Sequence, residues 1–199
     1  MTPEEFQKTF NVSRETLDRF QIYEDLLKKW QKKINLVAPS TVNDIWMRHF
    51  ADSAQLYNYI DANDDIADIG AGAGFPGMVL AIMGHKKITL IESDQRKCIF
   101  LKEVARQTDV DVEIINRRIE DVDRKFDLVT ARALADLDAL LGFADHLSLN
   151  GKALFLKGQK ADNEIASAEK NWQFDLETEN SRTDDQASIL KISNIKCFT

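Results

Sequence analysis

Apolar residues recur at helical spacing over the first sixty positions and in short β-rich runs thereafter. From about Ser13 to Lys33, Leu17, Phe20, Leu27 and Trp30, with Tyr23 and Leu26 between them, line one face of a helix. Ahead of it, Thr2, Pro3 and Glu5 supply a capping hydroxyl, a first-turn proline and an acid three residues beyond the cap, which predicts a helix start. The segment INLVAPS interrupts the pattern. Thr41 and Asp44 then open a third helix, expected to run to about Ile60 with Ile45, Trp46, Phe50, Leu56 and Tyr57 apolar. Residues 1–60 are read as an N-terminal helical extension.

From Asp65 the strand candidates are DIADI, KKITLIES, VEIIN, FDLVTA and KALFLKG, with helices expected near 77–84, 95–108 and 137–146 and a short turn near Ile119. Strands alternating with helices imply right-handed crossovers and a parallel sheet covered on both faces. After a helix at about 162–170 come WQFDLET and ASILKISNI, joined by the polar loop ENSRTDDQ; they read as an antiparallel hairpin at one edge. The expected architecture is therefore α/β, with a mostly parallel sheet over residues 61–199 and a C-terminal hairpin.

Composition narrows the function classes. With 44% apolar and 30% charged residues, the 199-residue chain suits one domain with an addition, burying roughly 70% of its unfolded surface. Phe75 to Gly84, the longest nearly apolar run, is about half a membrane helix, and MTPEEFQKTF is unlike a signal peptide; a cytoplasmic protein without a membrane partner is expected. Cys98 and Cys197 lie far apart without metal-ligand spacing, so neither zinc nor a disulfide is expected. The net charge of −7 does not suggest nucleic acid, yet it is uneven: residues 28–60 carry five Lys/Arg against two Asp/Glu, and 161–199 carry four against eight. A basic face on an acidic protein is compatible with these counts.

The loop GAGAGFPG, Gly70 to Gly77, follows the first strand, where ligands of open α/β sheets bind. Gly70, Gly72, Gly74 and Gly77 allow close approach to a ligand, and Pro76 suits the first turn of the next helix. A dinucleotide would bring a pyrophosphate to the helix N-terminus. S-adenosylmethionine brings a sulfonium, an ammonium, a ribose and an adenine, and calls for acids. Asp68 precedes the first glycine, where a carboxylate could hold the ammonium directly or through water, or could cap the next helix. Glu92 ends the second strand, placed for ribose hydroxyls in either cofactor. Ile119 and Glu120 follow the third strand, placed for adenine. Three acids around one cleft repel a pyrophosphate, which favours the methyl donor.

The segments WQKKINLVA, MRHFADS, DIGAGAGFPG, TLIES, RRIED, TARALADL and FLKGQ, in order along nearly the entire chain, resemble the ribosomal small-subunit RNA methyltransferase G family, also called glucose-inhibited division protein B. GAGAGFPG and R-H-x-x-D-S carry most of the specificity. The resemblance implies a Rossmann-like class I S-adenosylmethionine-dependent methyltransferase with a seven-stranded sheet. It also implies methylation of N7 of a guanine in the 530 loop of bacterial 16S rRNA, guanine 527 in rRNA numbering. Cofactor contacts are implied at Gly70, Phe75, Ile119, Glu120 and Arg132; the first four agree with the reading of the residues, and Arg132 is added by the resemblance. Glu92 stands where family members often have Asp, and the loop ENSRTDDQ is short and acidic for the family.

Guanine N7 has a lone pair and no proton to lose, so no general base is required. An (Asp/Asn)-Pro-Pro-aromatic motif after the fourth strand, common where an exocyclic amine is methylated, is replaced here by TARALADL. Arg132 is the candidate catalytic residue, through guanine O6 or a phosphate, with a structural pair to Asp136 as the alternative. Candidate contacts to 16S rRNA or a small-subunit particle are Lys28, Lys29, Lys32, Lys33, Asn35, Arg48, His49 and Lys157, with Lys160, Arg117 and Arg118 beside them. A solvated helix face is the plainer reading of the lysines, and a buried hydrogen-bonded imidazole that of His49. No DNA partner and no metal are expected, and the chain is read as a monomer.

Overall fold

A computed structural model describes residues 1–198. Seven strands form one sheet: β1 (Ile66–Ile69), β2 (Ile88–Ile91), β3 (Glu113–Ile115), β4 (Leu128–Arg132), β5 (Ala153–Lys157), β6 (Trp172–Asn180) and β7 (Ser188–Cys197). Their order is β3-β2-β1-β4-β5-β7-β6. The first five pair in parallel, Ile66 beside both Ile88 and Leu128, while β7 runs antiparallel to β5 and β6. All seven expected strands are present, and the hairpin closes one edge. The strand order reverses between β1 and β4, so their following loops diverge and leave a crevice at the carboxyl ends.

Burial follows this order. β1, β2 and β5 are buried at every residue because helices cover both faces, whereas the edge strands β3 and β6 are partly exposed. One core, with Ile69, Val129, Leu137, Leu141 and Phe155, lies under α6 (Leu137–Leu147) and α7 (Ala161–Ala168). The other unites the opposite sheet face with the N-terminal helices α1 (Pro3–Phe10) and α2 (Arg14–Gln31). There Phe6 meets Phe20 at 4.9 Å, Phe20 meets Phe50 at 5.0 Å, and Trp30 meets Phe100 of α5 (Gln95–Thr108) at 5.7 Å. Each fully buried ring contributes roughly 1.5–3 kcal/mol. The N-terminal helices thus complete the layer on one side of the sheet.

The helix ends follow local chemistry. Thr2 and Glu5 form a reciprocal capping box on α1, and Ser13 caps α2 by accepting the Thr16 N–H. The single helix expected from Thr41 to Ile60 is instead broken. A tight turn spans Pro39–Asp44, a widened π-type turn spans Trp46–Ala51, α3 is the one turn Asp52–Ala54, and a second tight stretch spans Gln55–Tyr59. Tertiary partners account for the break: the Arg48 carbonyl, the His49 ring and the Asp52 carboxylate all bond to Arg132, and Gln55 bonds to the β6–β7 loop. An even α-helical ladder yields to these side-chain demands.

Candidate active site

The loop from β1 to α4 (Gly77–Ile82) carries the expected glycines in two roles. Gly70 has φ +62°, and a Cβ there would lie 2.5 Å from Leu134 Cδ1. Gly72, at φ +59°, would meet only its own loop at 3.6 Å, so its backbone is open to a ligand. Gly70, Gly72 and Phe75 line a cavity of about 940 Å³ together with Glu92, Ile119, Glu120 and Arg132. Gly74 does not: it lies behind the loop, where a Cβ would stand 2.6 Å from the Tyr23 hydroxyl. That hydroxyl, fully buried on α2, donates to the Ala73 carbonyl, while the ring stacks on Phe75 at 5.6 Å and 21°. Burial pushes the Tyr23 phenol up, so it stays a donor. Sequence reasoning read Tyr23 only as part of an apolar face; its polar tip was the available signal.

Asp68 corrects an expectation. Its carboxylate is fully buried beneath the loop and does not line the cavity; it accepts the Gly77 N–H at 2.8 Å and faces the Thr130 hydroxyl at 3.4 Å. The alternative weighed for it, holding the start of the next helix, is what the structure has. A carboxylate so enclosed is hard to ionise, and burial raises its pKa to about 7 against the opposing Gly77 N–H and Arg132. Direct contact with a ligand's ammonium is closed to it.

Glu92 stands at the cavity edge with 7% exposure; Oε2 accepts the Gly72 N–H at 2.9 Å and Oε1 the Asp94 N–H at 2.7 Å. Second lone pairs remain on both oxygens. Asn116 fixes the same turn by donating to the carbonyls of Glu92 and Ser93 at 2.9 and 3.0 Å. Ile119 and Glu120 lie on the tight turn Ile119–Asp121 beyond β3, the first buried, the second exposed.

Arg132 ends β4 and gathers the R-H-x-x-D-S segment around itself. Its Nη1 donates to the Arg48 carbonyl at 2.9 Å and to Asp52 Oδ2 at 3.2 Å; Nη2 donates to His49 Nδ1 at 2.8 Å. The guanidinium lies 4.7 Å over the Phe75 ring, on which the His49 ring also stacks at 5.0 Å. Burial lowers the Arg132 pKa, and Asp52 opposes that. The carboxylate partner is Asp52 and not Asp136, which caps α6 by accepting the Ala139 N–H. Asp52 also accepts from the Thr183 hydroxyl at 2.8 Å, tying in the loop ENSRTDDQ, and Arg182 N–H donates to Gln55 at 2.9 Å. Of this cluster the sequence flagged Arg132, Arg48 and His49, but not Asp52, Thr41 or Thr183.

His49 takes the buried form weighed for it. Thr41 Oγ1 donates to the Ala38 carbonyl and therefore accepts from His49 Nε2 at 2.8 Å, leaving Nδ1 to receive Arg132. That tautomer is neutral, and burial with Arg132 and Arg48 nearby depresses the pKa to about 3. A second correction concerns Lys157. Expected on an RNA-facing rim, it is 9% exposed and donates to Glu164 at 2.5 Å and to the Ala135 carbonyl at 2.8 Å. Its position just inside the end of β5 buries it, although it lines the cavity.

The remaining cations are on the surface. Lys28 pairs with Glu24 at 2.7 Å, Arg48 with Asp184 at 2.7 Å, and Lys29 is exposed. Lys32, Lys33 and Asn35 line a second, polar groove with Arg96 and Lys97, and Lys97 also lines the main cavity. Arg117, Arg118 and Lys160 are exposed at the cavity mouth. A basic path therefore leads from the end of α2 to the cavity.

Comparison with known proteins agrees with this geometry. A family model described as GidB, rRNA small subunit methyltransferase G, matches residues 16–189. A protein named ribosomal RNA small subunit methyltransferase G from Paramagnetospirillum magneticum is 50% identical over 198 residues, 98% of this chain and 97% of the relative. Its namesake from Rhodospirillum centenum is 49% identical over 194 residues, 96% and 90% of the two chains. Among solved structures, magnesium protoporphyrin IX methyltransferase from Synechocystis superposes with a TM-score of 0.62 at 12% identity, covering 92% of this chain and 97% of that one. Ribosomal protein L11 methylase from Lactobacillus delbrueckii gives 0.56 at 22% identity, covering 71% and 75%. These likenesses show the fold, a Rossmann-like class I methyltransferase sheet. By the match of its sequence over nearly its entire length, the chain belongs to the rRNA small subunit methyltransferase G family.

Proposed function

We propose that the protein transfers the methyl group of S-adenosylmethionine to N7 of a guanine in the 530 loop of 16S rRNA, as a cytoplasmic monomer acting on the RNA or on a small-subunit particle. The cavity fits the donor. Gly72 offers open backbone to its amino-acid end beside Gly70, Glu92 has lone pairs for ribose hydroxyls, and Ile119 and Glu120 offer an apolar face and a polar group for adenine. Arg132 has spent three N–H donors on Arg48, Asp52 and His49 and retains two. Those two serve the donor's carboxylate or the acceptor's O6.

The observation that carries the choice of acceptor atom is the pairing of the groups facing the β4 end of the cavity. Asp52 is paired with Arg132, Asp184 with Arg48 and Glu164 with Lys157, and both His49 nitrogens are engaged. Such a wall places and neutralises charge. That suits an aromatic nitrogen whose lone pair attacks directly. The bound donor supplies a methyl group on sulfur: the N7–C bond forms in line as the C–S bond breaks, its electron pair leaves with sulfur, and the positive charge passes to guanine. Alignment then supplies most of the acceleration, up to about 7–11 kcal/mol in well-oriented systems. Along the basic path, Lys29, Lys32, Lys33, Asn35, Arg117 and Arg118 are assigned to the RNA backbone.

The test incubates the protein with labelled S-adenosylmethionine and small-subunit RNA or particles lacking the modification, then cleaves with borohydride and aniline. A single cut within the 530 loop is expected. Label without a cut would refute N7 as the acceptor, and no label despite intact donor binding would refute the substrate.

A further inference from the structure

Six large apolar side chains are exposed among the described residues, and Leu134 is the one of them that lines the cavity. It is 37% exposed and stands directly beside the glycine loop, since a Cβ on Gly70 would fall 2.5 Å from its Cδ1. An apolar side chain held open in a cavity with Arg117, Arg118 and Lys160 exposed at its mouth faces a ligand that is apolar on its flat side and anionic where it leaves the cavity. A base of an RNA strand answers that description, because its ring face is apolar and its backbone carries phosphate. Resting on the methyl-transfer reading above, we infer that Leu134 is the surface on which the acceptor base packs, so that the loop between β4 and α6 sets the position of the reacting nitrogen.

Both ends of that loop are held. Ala133 has φ +52°, a left-handed conformation disfavoured for a residue with a Cβ, and it follows Arg132, itself anchored on Arg48, His49 and Asp52. At the far end a closed set of bonds joins loop to strand and helix. The Lys157 ammonium donates to the Ala135 carbonyl at 2.8 Å and to Glu164 at 2.5 Å, and Glu164 Oε2 also accepts the Leu137 N–H at 2.9 Å. The pair thus acts on Leu134 through the backbone on either side of Asp136. Lys157 and Glu164 are positioning residues, and Leu134 is the contact.

Leu134→Ala, Leu134→Asn and Leu134→Met separate contact from scaffold. With the full chain, S-adenosylhomocysteine affinity is measured by calorimetry, and kcat/KM for methylation of unmodified small-subunit RNA is measured in parallel. The Ala and Asn variants should lose roughly 5- to 50-fold in kcat/KM while the affinity for S-adenosylhomocysteine changes less than about threefold, and Met should recover most of the loss. An equal fall in both quantities would assign Leu134 to the donor and overturn the inference. So would an Asn variant that turns over like the parent, since it keeps the branched outline and removes the apolar face. If the unaltered protein methylates no such RNA while binding S-adenosylhomocysteine, the methyl-transfer reading fails and the inference falls with it; activity in the parent with unaffected variants removes the inference alone.

Discussion

The two ends of the cavity are built in different ways. The end holding Gly72, Glu92 and Ile119 is made by backbone at the carboxyl ends of β1, β2 and β3, each group following its strand within a few residues. The Arg132 end is assembled from three distant segments: Arg132 itself, Thr41 to Asp52, and Thr183 to Asp184 in the β6–β7 loop. A local motif suffices for the first, whereas the second exists only once the N-terminal helices and the C-terminal hairpin have docked. The end proposed to hold the donor should therefore fail through backbone changes, and the Arg132 end through loss of single long-range partners.

The largest effect is expected at the donor end. Gly70→Asp places a side chain at φ +62° against Leu134 and should lower S-adenosylmethionine binding and methylation by roughly 100-fold or more, with RNA affinity within a few-fold. Calorimetry with the donor and filter binding with RNA would check both halves of that expectation.

At the other end, Asp52→Ala removes the carboxylate shared by Arg132 and Thr183 and leaves a largely buried guanidinium without its anion. A loss of about 2–4 kcal/mol is expected, lowering the melting temperature by roughly 5–15 °C. A melting temperature within a degree or two of the parent would show that the segments dock without this pair.

The two buried titrating groups carry opposite pH signs. Asp68, raised to about 7, lets the folded state hold an extra proton between that value and the ordinary carboxylate range, so it favours folding as pH falls. His49, depressed to about 3, leaves the extra proton on the unfolded chain below about pH 6.5, so it disfavours folding as pH falls. The two offset in the parent. Asp68→Asn removes the first and should lose about 2 kcal/mol between pH 7 and pH 5 through His49, read by urea unfolding. No added pH dependence would indicate that His49 is not held neutral.

The smallest effect belongs to the surface. Reversing charge at Lys29 and Lys33 should weaken RNA binding several-fold at low salt, with the difference shrinking as salt rises. Equal affinity at every salt concentration would reduce the pair to a solvated helix face.

How much was legible in the sequence follows the same division. All seven strands and the glycine loop were readable, because alternation and turn residues act over a few positions. Asp68 was placed correctly in the chain but not in space, since two residues before the turn is also where a carboxylate can receive the first amide of the next helix. Lys157 looked like a surface cation because a buried one needs Glu164, seven residues away, to make sense. Asp52 was visible inside R-H-x-x-D-S without a role, since its partners Arg132 and Thr183 lie 80 and 131 residues along the chain. The broken helix near Trp46 was unreadable for the same reason.

Proton-free transfer at the Arg132 end is tested most directly by comparing single-turnover methyl transfer in H2O and D2O, with S-adenosylmethionine and unmodified RNA saturating and the rate independent of pH. A ratio close to one is expected if the acceptor nitrogen attacks with its lone pair alone. A ratio of roughly two or more would place a proton in flight in the transition state and contradict both the N7 acceptor and the reading of the cavity wall as a set of internally paired groups.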